Sequence, residues 1–141
     1  MFQHILVPTD LTDSAESSLK MAMSLARLRY GSHVSLLHVI ERIPSLEDHE
    51  LRGFYERLER DACMRMRQML ANTSGCDEVT TTHHVVLGRR SEEIVRYAES
   101  NAMDLIILSH GQDPESPFGS VSYKVGILAP CSVLLLKSPP A

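Results

Sequence analysis

Three short segments of this chain combine residue types that can bind a phosphorylated ligand. Pro8-Thr9-Asp10 follows the first apolar run, and the carboxylate of Asp10 can accept a hydrogen bond from an exocyclic amine. Gly119-Ser120 opens a helical pattern, where free backbone N–H groups, a hydroxyl and the positive helix end can hold a phosphate oxygen. Ser109-His110-Gly111 follows another apolar run. Taken alone, each segment is also explained without a ligand, by turn formation, by helix capping or as the end of a strand.

Signatures of a catalytic or metal centre are missing from the sequence. It contains no GxSxG, no P-loop lysine motif and no HEXXH. His83 and His84 are adjacent, and neighbouring residues of a strand point to opposite faces, so the pair is poorly placed to chelate one ion. Ser120, His110 and Asp10 have no spacing that supports a Ser–His–Asp triad. We therefore predict a binding protein without catalytic residues and without a metal site built by the chain.

The bulk composition is that of an ordinary globular protein. The chain has 141 residues, of which 43% are hydrophobic and 23% charged, and this suits a single domain over residues 1–141. Its net charge of −4 gives no general attraction to nucleic acid or to an anionic membrane. No apolar run reaches the roughly 18 residues of a membrane span, and the start has no secretory signal pattern. The three cysteines form no CxxC pair. We expect a cytoplasmic protein with reduced thiols.

The candidate segments must be positioned by the strands and helices around them. Short apolar runs predict five strands, at residues 4–7, 34–39, 83–87, 105–109 and 133–136. Most of these runs are continuous, as in Leu105-Ile106-Ile107-Leu108, and such strands are typical of parallel sheets covered on both faces. Ligands bind such sheets beyond the carboxyl ends of the strands, where the winding direction reverses. Both Asp10 and His110 follow strands in this way.

Helical patterns separate the strands. Asp13 and Glu16 have the spacing of an N-cap and its reciprocal N3 carboxylate, and Gly31 is the expected stop of this first helix. The later helices are expected to begin near Leu51, Ser91 and Gly119-Ser120. The order βαβαβαβαβ predicts right-handed crossovers and an open, doubly wound sheet.

Each helical pattern carries an apolar stripe, and the second and last helices are two examples. The stripe of the second helix comprises Leu51, Phe54, Tyr55, Leu58, Ala62, Met66, Met69 and Leu70. The other face of that helix carries Arg57, Arg60 and Arg67, which a solvated surface explains, with an acidic partner as the alternative. The last helix carries Val121, Val125 and Leu128.

Together, several segments resemble the universal stress protein family. They are Ile5-Leu6-Val7-Pro8-Thr9-Asp10, residues 34–39, residues 88–98, Gly119-Ser120-Val121-Ser122 and Ala129-Pro130-Cys131-Ser132-Val133-Leu134, which together span essentially the whole chain. The resemblance implies an α/β fold with an open five-stranded parallel sheet in the order 3-2-1-4-5 and helices on both faces. This fold is Rossmann-like and of the adenine nucleotide alpha hydrolase type. The resemblance also implies a cytoplasmic homodimer that pairs through the last strand, Ser132–Lys137.

Many members of that family hold ATP, and the resemblance implies where this chain would contact it. The implied contacts are Pro8, Thr9, Asp10 and Val39 for the adenine, His110 and Gly111 for the phosphate–ribose loop, and Gly119, Ser120 and Val121 for the phosphates. The implied cofactor is ATP, with Mg²⁺.

The chain departs from the nucleotide motif of the family after the fourth strand. Nucleotide-binding members carry a glycine, two residues, a second glycine, nine residues and then Gly-Ser or Gly-Thr. In this chain Leu108 stands at the first glycine position, and only residues 112–118 separate Gly111 from Gly119. Two prolines in that loop remove amide donors, and its two carboxylates would repel a polyphosphate unless Mg²⁺ intervened.

This departure leaves more than one function open. The first hypothesis is a stress-response regulatory domain that binds an adenine nucleotide in its cleft. The second is a dimeric protein-interaction module of the same family that has lost nucleotide binding because of its shortened acidic loop. A slow ATPase is the third, and it rests on the fold alone.

Overall fold

Strands and helices alternate along the chain, as the sequence predicts. The computed structural model describes residues 2–12, 14–42, 48–73, 75, 78–110 and 120–137. The elements are β1 (His4–Pro8), α1 (Ser14–Ala26), β2 (His33–Ile40), α2 (Asp48–Asn72), β3 (Thr80–Leu87), α3 (Arg90–Ser100), β4 (Leu105–His110), α4 (Ser120–Leu128) and β5 (Ser132–Lys137). Among the helices in these ranges, none is both long enough and apolar enough to cross a membrane.

The strands form one five-stranded parallel sheet in the order β3-β2-β1-β4-β5, which confirms the predicted fold class. The chain first builds the sheet outward from β1 through β2 to β3. It then returns past β1 to add β4 and β5 on the other side. The winding direction therefore reverses between β1 and β4, and this is the position at which open α/β sheets bind ligands.

Both faces of the sheet are covered, and this explains the continuous apolar runs. In β4, Leu105 and Ile107 belong to the core on the α1–α2 face, whereas Ile106 and Leu108 belong to the core on the α3–α4 face. Successive side chains of a strand point to opposite faces, so each position must be apolar when both faces are buried. Burial of one such side chain contributes about 1.5–3 kcal/mol relative to its exposure.

The first helix ends earlier than the sequence predicts. Its last residue is Ala26. The next turn has hydrogen bonds between residues three apart: Leu28 N–H donates to the carbonyl oxygen of Leu25 at 3.1 Å, and Arg29 N–H donates to that of Ala26 at 3.2 Å. These bonds satisfy the last carbonyls of the helix without a glycine. Gly31, the predicted stop, has a φ of +83° and turns the chain into β2 instead. The N-cap predicted at Asp13 lies outside the described residues.

The apolar stripes of α2 and α4 are wider than the strips that the sheet covers. On α2, Tyr55 and Met66 are buried, whereas Phe54 and Leu58 are exposed. On α4, Val125 is fully buried, whereas Leu128 is 59% exposed. A helix that lies on a sheet buries only the residues of one narrow stripe, so the margins of a broad apolar face remain in solvent.

One carboxylate ties the amino-terminal edge of the sheet together. The N–H groups of Gln3 and His4 donate hydrogen bonds of 2.8 and 3.1 Å to the two carboxylate oxygens of Asp104. In return, the N–H of Asp104 donates to the carbonyl oxygen of His4 at 2.9 Å. These bonds join the start of β1 to the turn before β4, and they fix the two strands between which the winding reverses.

Candidate functional site

The carboxyl end of β1 is unevenly supported by its two neighbours. Its ladder with β2 continues to the pair of Pro8 and Leu37. Within the described residues, its ladder with β4 ends at the pair of Leu6 and Ile106. Within the same residues, the last two residues of β1 are therefore not paired with β4. The helices α1 and α4 begin beside this gap and lie on opposite faces of the sheet. We call this place the switch-point crevice.

The loop after β1 is a compact turn built by its own side chains. Thr9 is buried, and its N–H donates to the carbonyl oxygen of Leu37 at 2.8 Å. The hydroxyl oxygen of Thr9 accepts from Leu11 N–H at 2.9 Å, and Oδ1 of Asp10 accepts from Thr12 N–H at 3.0 Å. Leu11 has a φ of +66°, a strained conformation for a leucine that these two side-chain bonds hold in place. The turn leaves the carboxylate of Asp10 exposed at the edge of the crevice.

A histidine of β2 supports this turn from the side. Nδ1 of His38 lies 2.9 Å from the carbonyl oxygen of Thr9. A carbonyl oxygen only accepts, so Nδ1 carries the proton and donates. His38 is not among the site residues predicted from the sequence, although a polar side chain within the apolar run of residues 34–39 is a signal that could have indicated it.

Two residues near the crevice belong to the core rather than to its surface. Val39, predicted to line the base pocket, is 3% exposed and packs in the α3–α4 core. Leu108, at the position of a family glycine, is 5% exposed and lies in the same core. The side chain of Leu108 therefore points into the fold rather than into the following loop. Ser109 faces the other way, and its hydroxyl is hydrogen-bonded to that of Ser18 on α1.

The predicted phosphate contacts are only partly described. His110 ends β4 and Ser120 begins α4, and the positions of their backbones are known. Val121 is half-buried in the first turn of α4 and packs against the α3–α4 core. Outside the described residues lie Gly111, Gly119 and the loop of residues 112–118. The structure thus brings Pro8, Thr9 and Asp10 together at the carboxyl edge of the sheet, while the phosphate contacts stay predictions.

The adjacent histidines of β3 lie on opposite faces, as predicted. The ring of His84 lies 5.5 Å, centroid to centroid, from that of Tyr97 on α3. His83 faces α2, and partial burial, followed by the charges of Arg67 and His84, lowers the pKa of its imidazole below the ordinary value. In the part of the chain that the structure describes, no three His, Cys, Asp or Glu side chains are grouped so that they could hold a metal ion.

Comparisons with known proteins agree with this architecture. A family model described as the universal stress protein family matches residues 1–137. Universal stress protein Sll1654 of Synechocystis is 28% identical over 139 residues, which cover 96% of this chain and 86% of that protein.

Solved structures give the same result. The structure of hypothetical protein MJ0577 superposes with a TM-score of 0.87 at 29% identity, covering 100% of this chain and 99% of that one. The universal stress protein of Archaeoglobus fulgidus in complex with dAMP has the same fold, with a TM-score of 0.63 at 21% identity, covering 97% of this chain and 98% of that one. The family match over nearly the whole length and the shared sheet order lead to one conclusion. This chain belongs to the universal stress protein family.

Proposed function

We propose that this protein is a stress-response regulatory protein that binds an adenine nucleotide in the switch-point crevice. One observation carries the proposal, namely the placement of the Asp10 carboxylate. Oδ1 of Asp10 is fixed by Thr12, whereas Oδ2 makes no hydrogen bond within the described ranges. A fixed carboxylate with one oxygen available at a crevice can accept from the exocyclic amine of adenine.

Two further observations support this assignment. The crevice lies at the reversal of winding, where ligands of open α/β sheets bind. A protein of the same fold is known in complex with dAMP, a nucleotide whose base is adenine. Gly119, Ser120 and Val121 would contact the phosphates at the start of α4, with Mg²⁺ between the ligand and the acidic loop. The ligand would alter contacts with partners rather than undergo fast turnover.

The substitution Asp10→Asn tests the base contact without removing the turn. An asparagine keeps the oxygen that accepts from Thr12, but it can present an NH₂ donor where Asp10 presents an acceptor. AMP offers an amine at the recognised position of its base, whereas IMP offers a carbonyl oxygen. We expect wild-type protein to bind AMP more tightly than IMP and the variant to bind IMP more tightly than AMP. The affinity for AMP should be roughly tenfold lower in the variant than in wild type.

Isothermal titration calorimetry with both nucleotides measures this exchange of preference. Glu99→Gln near the end of α3 is the matched control, because it removes one exposed carboxylate at the amino-terminal edge of the sheet, opposite the crevice. An AMP affinity that is unchanged by Asp10→Asn would remove Asp10 from the site.

The second candidate is a dimeric protein-interaction module that binds no nucleotide. The burial of Val39 favours it, because a side chain that is 3% exposed offers little surface to a base. This candidate predicts neither heat of binding nor thermal stabilisation with ATP. A nucleotide that copurifies with the protein would exclude it.

Both candidates include a homodimer that pairs through β5. This strand is an edge of the sheet, and an unpaired edge exposes a row of N–H and C=O groups. Next to it, α4 exposes Tyr123, Ile127 and Leu128, and Leu135 of β5 is 42% exposed on the same side. A second copy related by a two-fold axis would pair the edge and cover these side chains. Sedimentation velocity at micromolar concentration tests the dimer, and a stable monomer would contradict it.

A further inference from the structure

A cleft of about 830 Å³ opens next to the switch-point crevice, between the first turns of α3 and α4. The ends of β2 and β3 form its floor. Its cationic side chains are Arg42, Arg89, Arg90, Arg96 and Lys124, and its acidic side chains are Glu41, Glu92 and Glu93. The lining is therefore positive, although the chain as a whole has a net charge of −4.

Part of this charge is neutralised within α3. Nη1 of Arg96 lies 2.6 Å from Oε1 of Glu93, and Nη1 of Arg89 lies 3.7 Å from Oε1 of Glu92. Gly88 makes the first of these arrangements possible, because a Cβ at that residue would lie 2.6 Å from Cγ of Glu93. The two acids of the first turn of α3 are thus paired with one cation of the same helix and with its N-cap residue, Arg89.

Arg90 and Lys124 remain as the uncompensated cations. Within the described ranges, neither of them forms an ion pair with a carboxylate. Arg90 is the first residue of α3 and Lys124 lies on α4, so the two charges reach the cleft from facing helices. A guanidinium binds two oxygens of one phosphate side by side, and an ammonium adds a point charge. This pair therefore fits a small ligand with several phosphate oxygens, and the volume is that of a small-molecule site.

Val121 connects the cleft with the crevice. It lines the cleft, and it is also one of the residues that would contact phosphates in the proposed nucleotide site. We propose that the α3–α4 cleft is an anion subsite, in which Arg90 and Lys124 bind the distal phosphates of a nucleoside polyphosphate. This inference rests on the proposed function, in which the switch-point crevice binds the adenine end of the same ligand. It makes these two residues determinants of specificity for polyphosphates over monophosphates.

Calorimetry with AMP, ATP and inorganic tripolyphosphate, each titrated in the presence of Mg²⁺, separates the two ends of the ligand. For wild-type protein we expect tripolyphosphate to bind and ATP to bind at least about tenfold more tightly than AMP. In the double variant Arg90→Ala/Lys124→Ala, we expect no binding of tripolyphosphate. The affinity for ATP should fall to that for AMP, and the affinity for AMP should equal that of wild type. Arg57→Ala/Arg60→Ala on α2 removes two exposed cations elsewhere and should leave all three affinities unchanged. Circular dichroism of both double variants checks that they fold.

The outcomes distinguish this inference from the proposed function. If AMP binds but ATP binds no more tightly, or if the double variant keeps its affinity for tripolyphosphate, the subsite is refuted and the adenine site stands. If tripolyphosphate binds through Arg90 and Lys124 but AMP does not bind, the subsite stands and the adenine site is refuted. An oligoglutamate peptide of matched charge that binds as tightly as tripolyphosphate would overturn the assignment of phosphate as the ligand.

Discussion

Nδ1 of His38 lies 2.9 Å from the carbonyl oxygen of Thr9, so a side chain of β2 fixes the turn that presents Asp10. The bond joins two neighbouring strands at the edge where the winding reverses. It therefore gives the exposed carboxylate of Asp10 a rigid support, although Asp10 itself stands in a loop.

Substitution of His38 by phenylalanine should loosen this support. His38→Phe removes one half-buried hydrogen bond, and we expect the free energy of unfolding to fall by about 1 kcal/mol. If the turn then samples other conformations, the affinity for AMP should fall by roughly fivefold. Urea unfolding and calorimetry measure the two effects. The control is His84→Phe, because His84 is exposed on β3 and faces Tyr97 rather than the crevice. An AMP affinity equal to that of wild type would show that the turn needs no support from β2.

Much of the fold could be predicted from the sequence because its pattern is local. In β4, four consecutive apolar residues at 105–108 pack alternately on the two faces of the sheet. Such a continuous apolar run can be recognised in the sequence without knowledge of tertiary contacts. The end of α1 could not be predicted in the same way. Gly31 was the expected stop, but the i→i+3 bonds after Ala26 closed the helix without it.

The candidate site was predicted less completely, because its supports are long-range contacts. The residues joined by the His38–Thr9 bond are 29 positions apart, and those joined by the Asp104–Gln3 bond are 101 apart. The cations of the α3–α4 cleft are spread over α3, α4 and the end of β2. No spacing rule connects such residues, whereas Pro8-Thr9-Asp10 is contiguous and was identified directly.

Removal of the Asp104 carboxylate should destabilise the sheet at its amino-terminal edge. In Asp104→Ala, the N–H groups of Gln3 and His4 lose a charged acceptor, and we expect the free energy of unfolding to fall by about 2 kcal/mol. Chemical denaturation measures the change. Glu99→Ala, at an exposed position on α3, should change stability by less than about 0.5 kcal/mol. Equal stabilities of the two variants would contradict the role of Asp104.

The protein should lose stability as the pH falls below neutrality. Partial burial, followed by the charges of His4 and His84, lowers the pKa of His33 below its ordinary value of 6.5. The unfolded chain then binds a proton more readily than the folded protein, so full stability is present above about pH 6.5 and is lost as the pH falls through the lowered pKa. The lowered pKa of His83 acts in the same direction.

Comparison with His33→Gln measures the contribution of this residue. The glutamine amide can keep a hydrogen bond to the hydroxyl of Thr82, which lies 3.0 Å from Nε2 of His33, but it does not titrate. Urea unfolding at about pH 7.5 and about pH 5.5 should therefore show a smaller loss of stability for the variant than for wild type. Identical losses would exclude His33 as a source of the pH dependence.

A charge on the exposed edge strand should prevent the proposed dimer. Leu135→Lys places an ammonium among the apolar side chains of α4 and β5, where pairing would bury it. Because Leu135 is 42% exposed within one chain, we expect the fold to persist and sedimentation velocity to show monomers. Met64→Lys, on the exposed side of α2, is the control and should remain dimeric. A dimer that persists in Leu135→Lys would place the interface elsewhere.

The central claim is that the switch-point crevice binds an adenine nucleotide, and calorimetric titration of nucleotide-stripped wild-type protein with ATP and Mg²⁺ tests it most directly. We predict saturable binding of about one ATP per chain with micromolar affinity, or about −8 kcal/mol. The absence of measurable heat up to millimolar ATP, together with no thermal stabilisation, would contradict the claim and leave the dimeric interaction module as the function.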